Sequence, residues 1–352
     1  MSTENLRKWR DKHLNSVSPS FCAAKWYNVS LHLGHGYTNS CHLPLPHPID
    51  LEKVKANPSE LHNTDFKKRQ RKMMLEGKRP AECSYCWRVE DIGRDNIGDR
   101  VYKSRIYKEK DIAELKYLPW DAAVIPKTIE ASFDRTCNFG CSYCNAGYST
   151  TWGKDINKFG PYQKFKSVSA GAYQNNGEWA DTYGKYMEKN PYVQAFLKWW
   201  PDLIEGGLEE IRITGGEPCA SPNFWNFLDV MKKHPSEHLR LAVNSNLGGN
   251  FKRIQKKPKL VIMVDCGSTS FEAVKKDRFT GLTGTGVTLS HSVNSVQDIV
   301  CWVNNVKQDY NNYTVSNTAL TLGGSLVSAD VVQILYKSPL GFLCPFYKLI
   351  KG

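Results

Sequence analysis

Nothing in the 352 residues approaches the roughly 20 consecutive apolar residues that cross a bilayer. Residues 1–20 are polar and lack the apolar core of a secretory leader. No segment is of low complexity, and no solenoid-type period recurs. These absences exclude a membrane span and a repeat array, and they lead us to expect a cytoplasmic protein. Charge is lopsided, with 47 Lys and Arg against 35 Asp and Glu, a formal net charge of +12. A basic balance of this size suits a nucleic-acid or acidic substrate. It equally suits a plain solvated surface, because the cations are spread along the chain.

What the sequence has in quantity is cysteine. There are 11, an odd number, and several fall in tight spacings. In a cytosolic chain that pattern favours metal or redox chemistry over disulfides. The length is enough for a large α/β domain and a smaller companion, each with its own core.

Residues 20–100 contain Cys22, Cys41, Cys83 and Cys86. Val29, Leu31 and Leu33 alternate as in a half-buried strand, Gly34-His35-Gly36 reads as a turn, and Tyr37–Cys41 reads as a returning strand. A helix is expected from an Asn63 cap to Glu76, with Gly77 as its stop and Phe66, Met73 and Met74 on its apolar face. Its cations Lys67, Lys68, Arg69, Arg71 and Lys72 read as a solvated face, or as a face for an anionic substrate.

From residue 127 to about 265 the pattern is β/α. Strands are expected at Thr128–Phe133, Ile211–Thr214, Leu239–Val243 and Leu260–Val264, and helices open at Asn190-Pro191 and Ser221-Pro222. Alternation of this kind implies a parallel sheet, open or closed into a barrel. The stretch between Cys144 and Asn190 is rich in aromatics and reads as a functional loop or as helix packed outside the sheet. Beyond Cys266 only short strand-like pieces are legible, Tyr313–Leu320 and Val331–Tyr336.

Cys137-Asn-Phe-Gly-Cys141-Ser-Tyr-Cys144 places three thiols within eight residues, directly after a strand. A [4Fe-4S] cube needs one ligand per iron, so three cysteines leave one iron open to a substrate or cofactor. Gly140 allows the backbone to curl where a side chain would crowd a cube. A structural zinc site wants four protein ligands, which this triplet alone does not supply.

The Cx3CxxC spacing, with an aromatic before the last cysteine, resembles the signature of the radical S-adenosylmethionine (SAM) superfamily. Ile211-Arg-Ile-Thr-Gly215-Gly216-Glu217-Pro218 resembles the superfamily's GGE motif and lies at the next strand end. The resemblance implies a [4Fe-4S] cluster on Cys137, Cys141 and Cys144, with SAM chelated by the open iron. It further implies reductive cleavage of SAM to a 5'-deoxyadenosyl radical that abstracts hydrogen from a substrate. By the same resemblance, Tyr143 packs beside the adenine, and Gly215, Gly216 and Glu217 meet the SAM amino group. Asn244 and Asn246 at the third strand end, and Asp265 at the fourth, match SAM-contacting positions more loosely; short polar residues also end strands for purely local reasons. Cys219 reads as a hydrogen donor or as a small packing residue.

The hairpin cysteines Cys22 and Cys41 together with Cys83-Ser-Tyr-Cys86 form a second candidate set. They resemble the auxiliary iron–sulfur module of twitch and SPASM radical SAM enzymes. Here the module precedes the core, as in a group that includes viral members with counterparts of Met74–Pro80. Zinc accepts four thiolates equally well, and unliganded structural cysteines are the third reading. His32, His35, His42 and His47 lie nearby in sequence and are alternative ligands or ordinary histidines.

The expected architecture is α/β: a partial (β/α)6-type radical SAM barrel over residues 111–352, its C-terminal part undefined, with a cysteine-rich α+β module over 1–110. The expected function is radical SAM chemistry on an unknown substrate, peptide or protein first by analogy. A flavodoxin- or ferredoxin-like electron donor is the implied partner. The alternatives are radical SAM modification of a nucleic acid or nucleotide, and a non-catalytic metal-binding module that contacts nucleic acid.

Overall fold

Val29, Ile129, Ile211 and Leu241 stand side by side in register on four neighbouring parallel strands, and Leu31, Ala131, Ile213 and Val243 form the next row. In-register residues of parallel strands share a face, so these rows make one apolar surface. The computed structural model describes residues 2–93, 95–141, 143–164, 173–184, 189–246, 263–264, 276–293, 299–304, 306–308 and 310–336. They fall into two compact units, residues 1–258 and 259–352.

In the first unit the strands are β1 (Asn28–His32), β2 (Tyr37–Asn39), β3 (His47–Pro48), β4 (Thr128–Ser132), β5 (Glu210–Thr214) and β6 (Arg240–Val243). Their order in the sheet is β3-β2-β1-β4-β5-β6. β1, β4, β5 and β6 run parallel, while β2 and β3 add an antiparallel edge. The α/β class and the mostly parallel sheet are thus as expected, but the described residues show no barrel. The boundary expected near residue 110 falls inside this unit, because β1 from the cysteine-rich segment pairs with β4.

Helices Pro191–Glu205 and Pro222–Lys233 bring Phe196 and Phe227 against Phe133, and Trp200 against Phe227, with ring centroids 4.7–5.8 Å apart. Each such aromatic contributes about 1.5–3 kcal/mol by leaving water. Asn190 caps the first helix by accepting from the Tyr192 and Val193 N–H groups. Ser221 precedes the second helix, but its hydroxyl goes to Asp134 instead. The opposite face of the sheet is polar. Ser30, Glu130 and Arg212 align across it, and His32, Ser132 and Thr214 follow toward the carboxyl ends.

The helix expected from Asn63 is Asp65–Leu75, and its cap is Thr64, whose hydroxyl accepts from the Lys67 N–H. Asn63 is drawn away to Val124 and Arg71. Gly77 ends the helix at φ 75°. The solvated basic face is corrected for two of its residues. Lys67 and Arg71 are wholly buried beside Met74, while Arg69 and Lys72 stay exposed.

In the second unit, Ile299–Val303, Val331–Tyr336 and Lys276–Thr280 pair antiparallel, and so do Gly284–Val293 and Tyr313–Leu326. The described residues here include no α-helix. The part of the chain left undefined beyond Cys266 thus consists of paired strands where it is described, including the strand-like pieces expected at Tyr313–Leu320 and Val331–Tyr336. Alternating burial at Leu320 and Leu322, packed with Val287 and Leu289, selects strands. Of the expected Leu260–Val264 strand, Met263–Val264 is described.

Candidate functional site

The four parallel strands end on one edge of the sheet, and their exit loops carry the sequence motifs. From β4 the chain enters residues 134–144, from β5 the Gly215-Gly216-Glu217 loop, and from β6 Asn244-Ser245-Asn246. Loops at the carboxyl ends of parallel strands are where α/β folds place ligands.

The cysteine loop is held through its backbone. Thr150 and Thr151 hydroxyls both donate to the Cys137 carbonyl at 2.9 Å, Ser149 Oγ donates to the Phe139 carbonyl at 2.7 Å, and Trp152 Nε1 donates to the Cys141 carbonyl at 2.8 Å. All four belong to the start of helix Thr150–Phe159. The Cys137, Cys141 and Cys144 thiols are left partly exposed and unbridged. Burial pushes the Cys144 thiol above its usual range, and the neighbouring Cys137 and Cys141 thiols add to this. Tyr143 between them is 80% exposed.

The glycine pair is required by close backbone approach. A Cβ at Gly216 would lie 2.3 Å from the Thr136 carbonyl oxygen, and one at Gly215 (φ 109°) 2.5 Å from Ser132 Oγ. In return the Glu217 N–H donates to the Thr136 carbonyl at 2.6 Å. The β5 loop thus lies directly against the segment that leads into Cys137.

Glu217, expected to face an ammonium group, is 1% exposed. Its carboxylate accepts from the Cys219 N–H at 2.9 Å, Ser245 Oγ at 2.5 Å and the Asn246 N–H at 2.5 Å. It ties the β5 and β6 loops together. Asn246 Nδ2 reaches Asn138 Oδ1 at 3.2 Å and lies 3.9 Å from Cys137 Sγ. Asn244 Oδ1 and Thr136 Oγ1 are buried in these loops without a hydrogen-bond partner. Orphaned buried acceptors of this kind fit a bound molecule that brings its own donors. Cys219 is buried, its thiol pushed up to about 11 by burial, which suits packing. Asp265 lies outside the described residues.

Sequence reasoning missed Arg135 and Asp134. Arg135 is buried and donates to Asp181 and to the Ala146 and Asn176 carbonyls, and so pins those three residues beside the cysteine loop. Asp134 accepts from Thr136, Ser221 and Asn223. Their position just before the first cysteine was the only available signal.

The second cysteine set also converges. Cys22, Cys41, Cys83 and Cys86 line one small cavity, with about 20 Å3 open to water-sized contents. Burial raises the thiols of Cys41 to about 11 and of Cys83 and Cys86 to about 12. The backbone N–H groups of Leu43 and Arg100 point at Cys41 and Cys86 and work in the opposite direction. The nearby histidines go elsewhere. His47 bonds Thr64, His42 stands 3.7 Å from Asp99 at the surface, and His32 and His35 stack on each other. Among the described residues no three His, Cys, Asp or Glu side chains are grouped closely enough to hold a single ion. Tetrahedral bonds of about 2.3 Å require thiolates roughly 3.8 Å apart, and a multi-iron cube spreads them further.

No protein-family model and no curated protein matches this chain. Among the described residues no helix is long and apolar enough to cross a membrane.

Proposed function

We propose that the protein is a radical SAM enzyme whose [4Fe-4S] cluster is held by Cys137, Cys141 and Cys144. The observation that carries this reading is the loop of Cys137, Cys141 and Cys144, clamped through its backbone at the carboxyl edge of a mostly parallel sheet. The glycine loop and the Asn244–Asn246 loop are pressed against it. The implied barrel is the finer form of the α/β fold described above. When bound, the cluster would supply an electron for reductive cleavage of SAM and so a 5'-deoxyadenosyl radical. The chain's own part is positional. Ser149, Thr150, Thr151 and Trp152 fix the cysteine backbone. Gly215 and Gly216 bring bare backbone to the site, and Glu217 fixes Asn246 beside Cys137. Asn244 and Thr136 offer unspent acceptors, and Tyr143 offers an exposed ring for an adenine. The N-terminal cysteines are read as a second metal site, iron–sulfur or zinc. A flavodoxin- or ferredoxin-like protein is the proposed electron source. A peptide or protein is the favoured substrate, and a nucleic acid is the alternative suggested by the +12 charge.

The test is to reconstitute the protein with iron and sulfide without oxygen, reduce it, and assay conversion of SAM to 5'-deoxyadenosine. Cleavage that is lost in Cys141→Ala, along with iron, supports the assignment. Absence of cleavage, with no cluster absorbance, refutes it and favours a non-catalytic metal-binding module. Such a module's nucleic-acid binding would weaken steeply with salt.

A further inference from the structure

Strand β4 lies inside the sheet, between β1 and β5, yet it carries an exposed glutamate. Interior strands of parallel sheets are normally apolar on both faces, because both are covered. Only one face of β4 follows that rule. Ile129 and Ala131 are buried, while Glu130 between them is exposed on the polar face.

Among the described residues the Glu130 carboxylate forms no ion pair and accepts only from the Thr214 hydroxyl, at 3.3 Å. Arg212, its neighbour in register on β5, stands 3.6 Å from Glu210 instead. The other groups around Glu130 are neutral and aromatic. The carboxylate lies within electrostatic reach of His32 on β1 and of the Tyr148 hydroxyl. Burial holds His32 below its usual range and His35 at about 4, so neither imidazole brings it a positive charge near neutral pH. Trp179 packs edge-on against His35, with ring centroids 5.1 Å apart, and a Cβ at Gly147 would lie 2.9 Å from its ring. Trp179 thus joins the end of β1 to the turn that carries Tyr148, and both rings are about half exposed. Tyr148 is also within electrostatic reach of Cys144. Glu130 therefore stands beside the edge that carries the cysteine loop.

An exposed carboxylate without a cation, bordered by tyrosine and tryptophan rings, is furnished for a positively charged group. The carboxylate supplies charge-assisted hydrogen bonds, and the rings add cation–π attraction. The chain as a whole carries +12, which draws anions from a distance. A preference for a cation has to be made locally.

We infer that Glu130 is a specificity-determining residue that receives a cationic amine of the substrate, such as the lysine side chain of a peptide. The inference deepens the peptide reading proposed above for this edge of the sheet and rests on it. A nucleic acid, which carries the opposite charge, does not suit the position.

The experiment uses the full chain, both as purified and after reconstitution with iron, sulfide and SAM. The probes are three short peptides that differ only in a central lysine, norleucine or glutamate, and binding is measured by titration calorimetry. The lysine peptide should bind about tenfold more tightly than the norleucine peptide. Glu130→Gln should remove that preference without changing the thermal midpoint, and Glu130→Asp, which keeps the charge, should retain part of it. Glu237→Gln, which removes an exposed carboxylate elsewhere, should leave it intact. Failure of the lysine peptide to bind, equal binding of the lysine and norleucine peptides, a preference that survives Glu130→Gln, or tightest binding of the glutamate peptide would each overturn the inference. Absence of SAM cleavage with the lysine preference intact would refute the radical SAM reading and leave the amine site standing.

Discussion

The Asn246 backbone N–H donates to the Glu217 carboxylate at 2.5 Å, joining the loops that leave two neighbouring strands. With Ser245 Oγ on the other oxygen, a single buried carboxylate organises a loop that touches Cys137. Glu217→Ala removes the acceptor for three donors. It should cost about 3 kcal/mol of stability, a fall of several degrees in thermal midpoint. Iron retained at Cys137, Cys141 and Cys144 should fall with it, as measured after reconstitution in a protein lacking the N-terminal cysteines.

Two glycines near the site should respond differently. At Gly216 an added Cβ meets backbone atoms of Arg135 and Thr136 at 2.3–2.8 Å, so Gly216→Ala must displace the segment that enters Cys137. Both thermal stability and iron content should drop. At Gly140 a Cβ meets only Thr151 Cγ2 at 3.7 Å and Trp152 Nε1 at 4.0 Å. Gly140→Ala should leave the metal-free midpoint unchanged. Selective loss of iron in that variant would show that a cube occupies the space beside it.

Trp152→Phe keeps a ring and loses the hydrogen bond to the Cys141 carbonyl. Net stability should change by only about 1 kcal/mol. Cluster bleaching in air, followed by visible absorbance, should be faster because the central cysteine is freed from its clamp.

Acid should destabilise the fold before any carboxylate titrates. Burial lowers the pKa of His35 to about 4 and of His47 to about 3, and it lowers His62 far below its usual value. The unfolded chain takes up these protons near pH 6.5. Stability is therefore full above that pH and lost as pH falls toward 4 and 3. Denaturant midpoints at pH 7, 5.5 and 4.5 should fall with a slope exceeding one proton, and His47→Gln should reduce that slope.

The motif strands were legible because Ile129, Ile211 and Ile213 alternate or cluster just before short polar exits, and because Asn190-Pro191 announces its helix. The cysteine triplet needed only spacing. What hydropathy hides is the fate of Lys67 and Arg71. Their partners are backbone carbonyls, Asn63 and His62, which carry no pairing signal in the sequence. How distant strands associate is hidden for a similar reason. Nothing local in Asn28–His32 says that it will lie beside Thr128–Ser132. Nor do the short runs after Lys276 reveal that they pair antiparallel, because that depends on which distant strand each one meets.

The pairing of β1 with β4 also orders events in time. The contact of Asn28 with Thr128 spans 100 residues, so the N-terminal segment cannot complete its sheet until the later strand has left the ribosome. At ordinary synthesis rates that delay is roughly 5–20 s. During it Cys22, Cys41, Cys83 and Cys86 emerge while β1 still lacks β4. The growing chain thus passes through an interval in which its N-terminal thiols are open to metal donors and to oxidants, before the sheet closes over their scaffold.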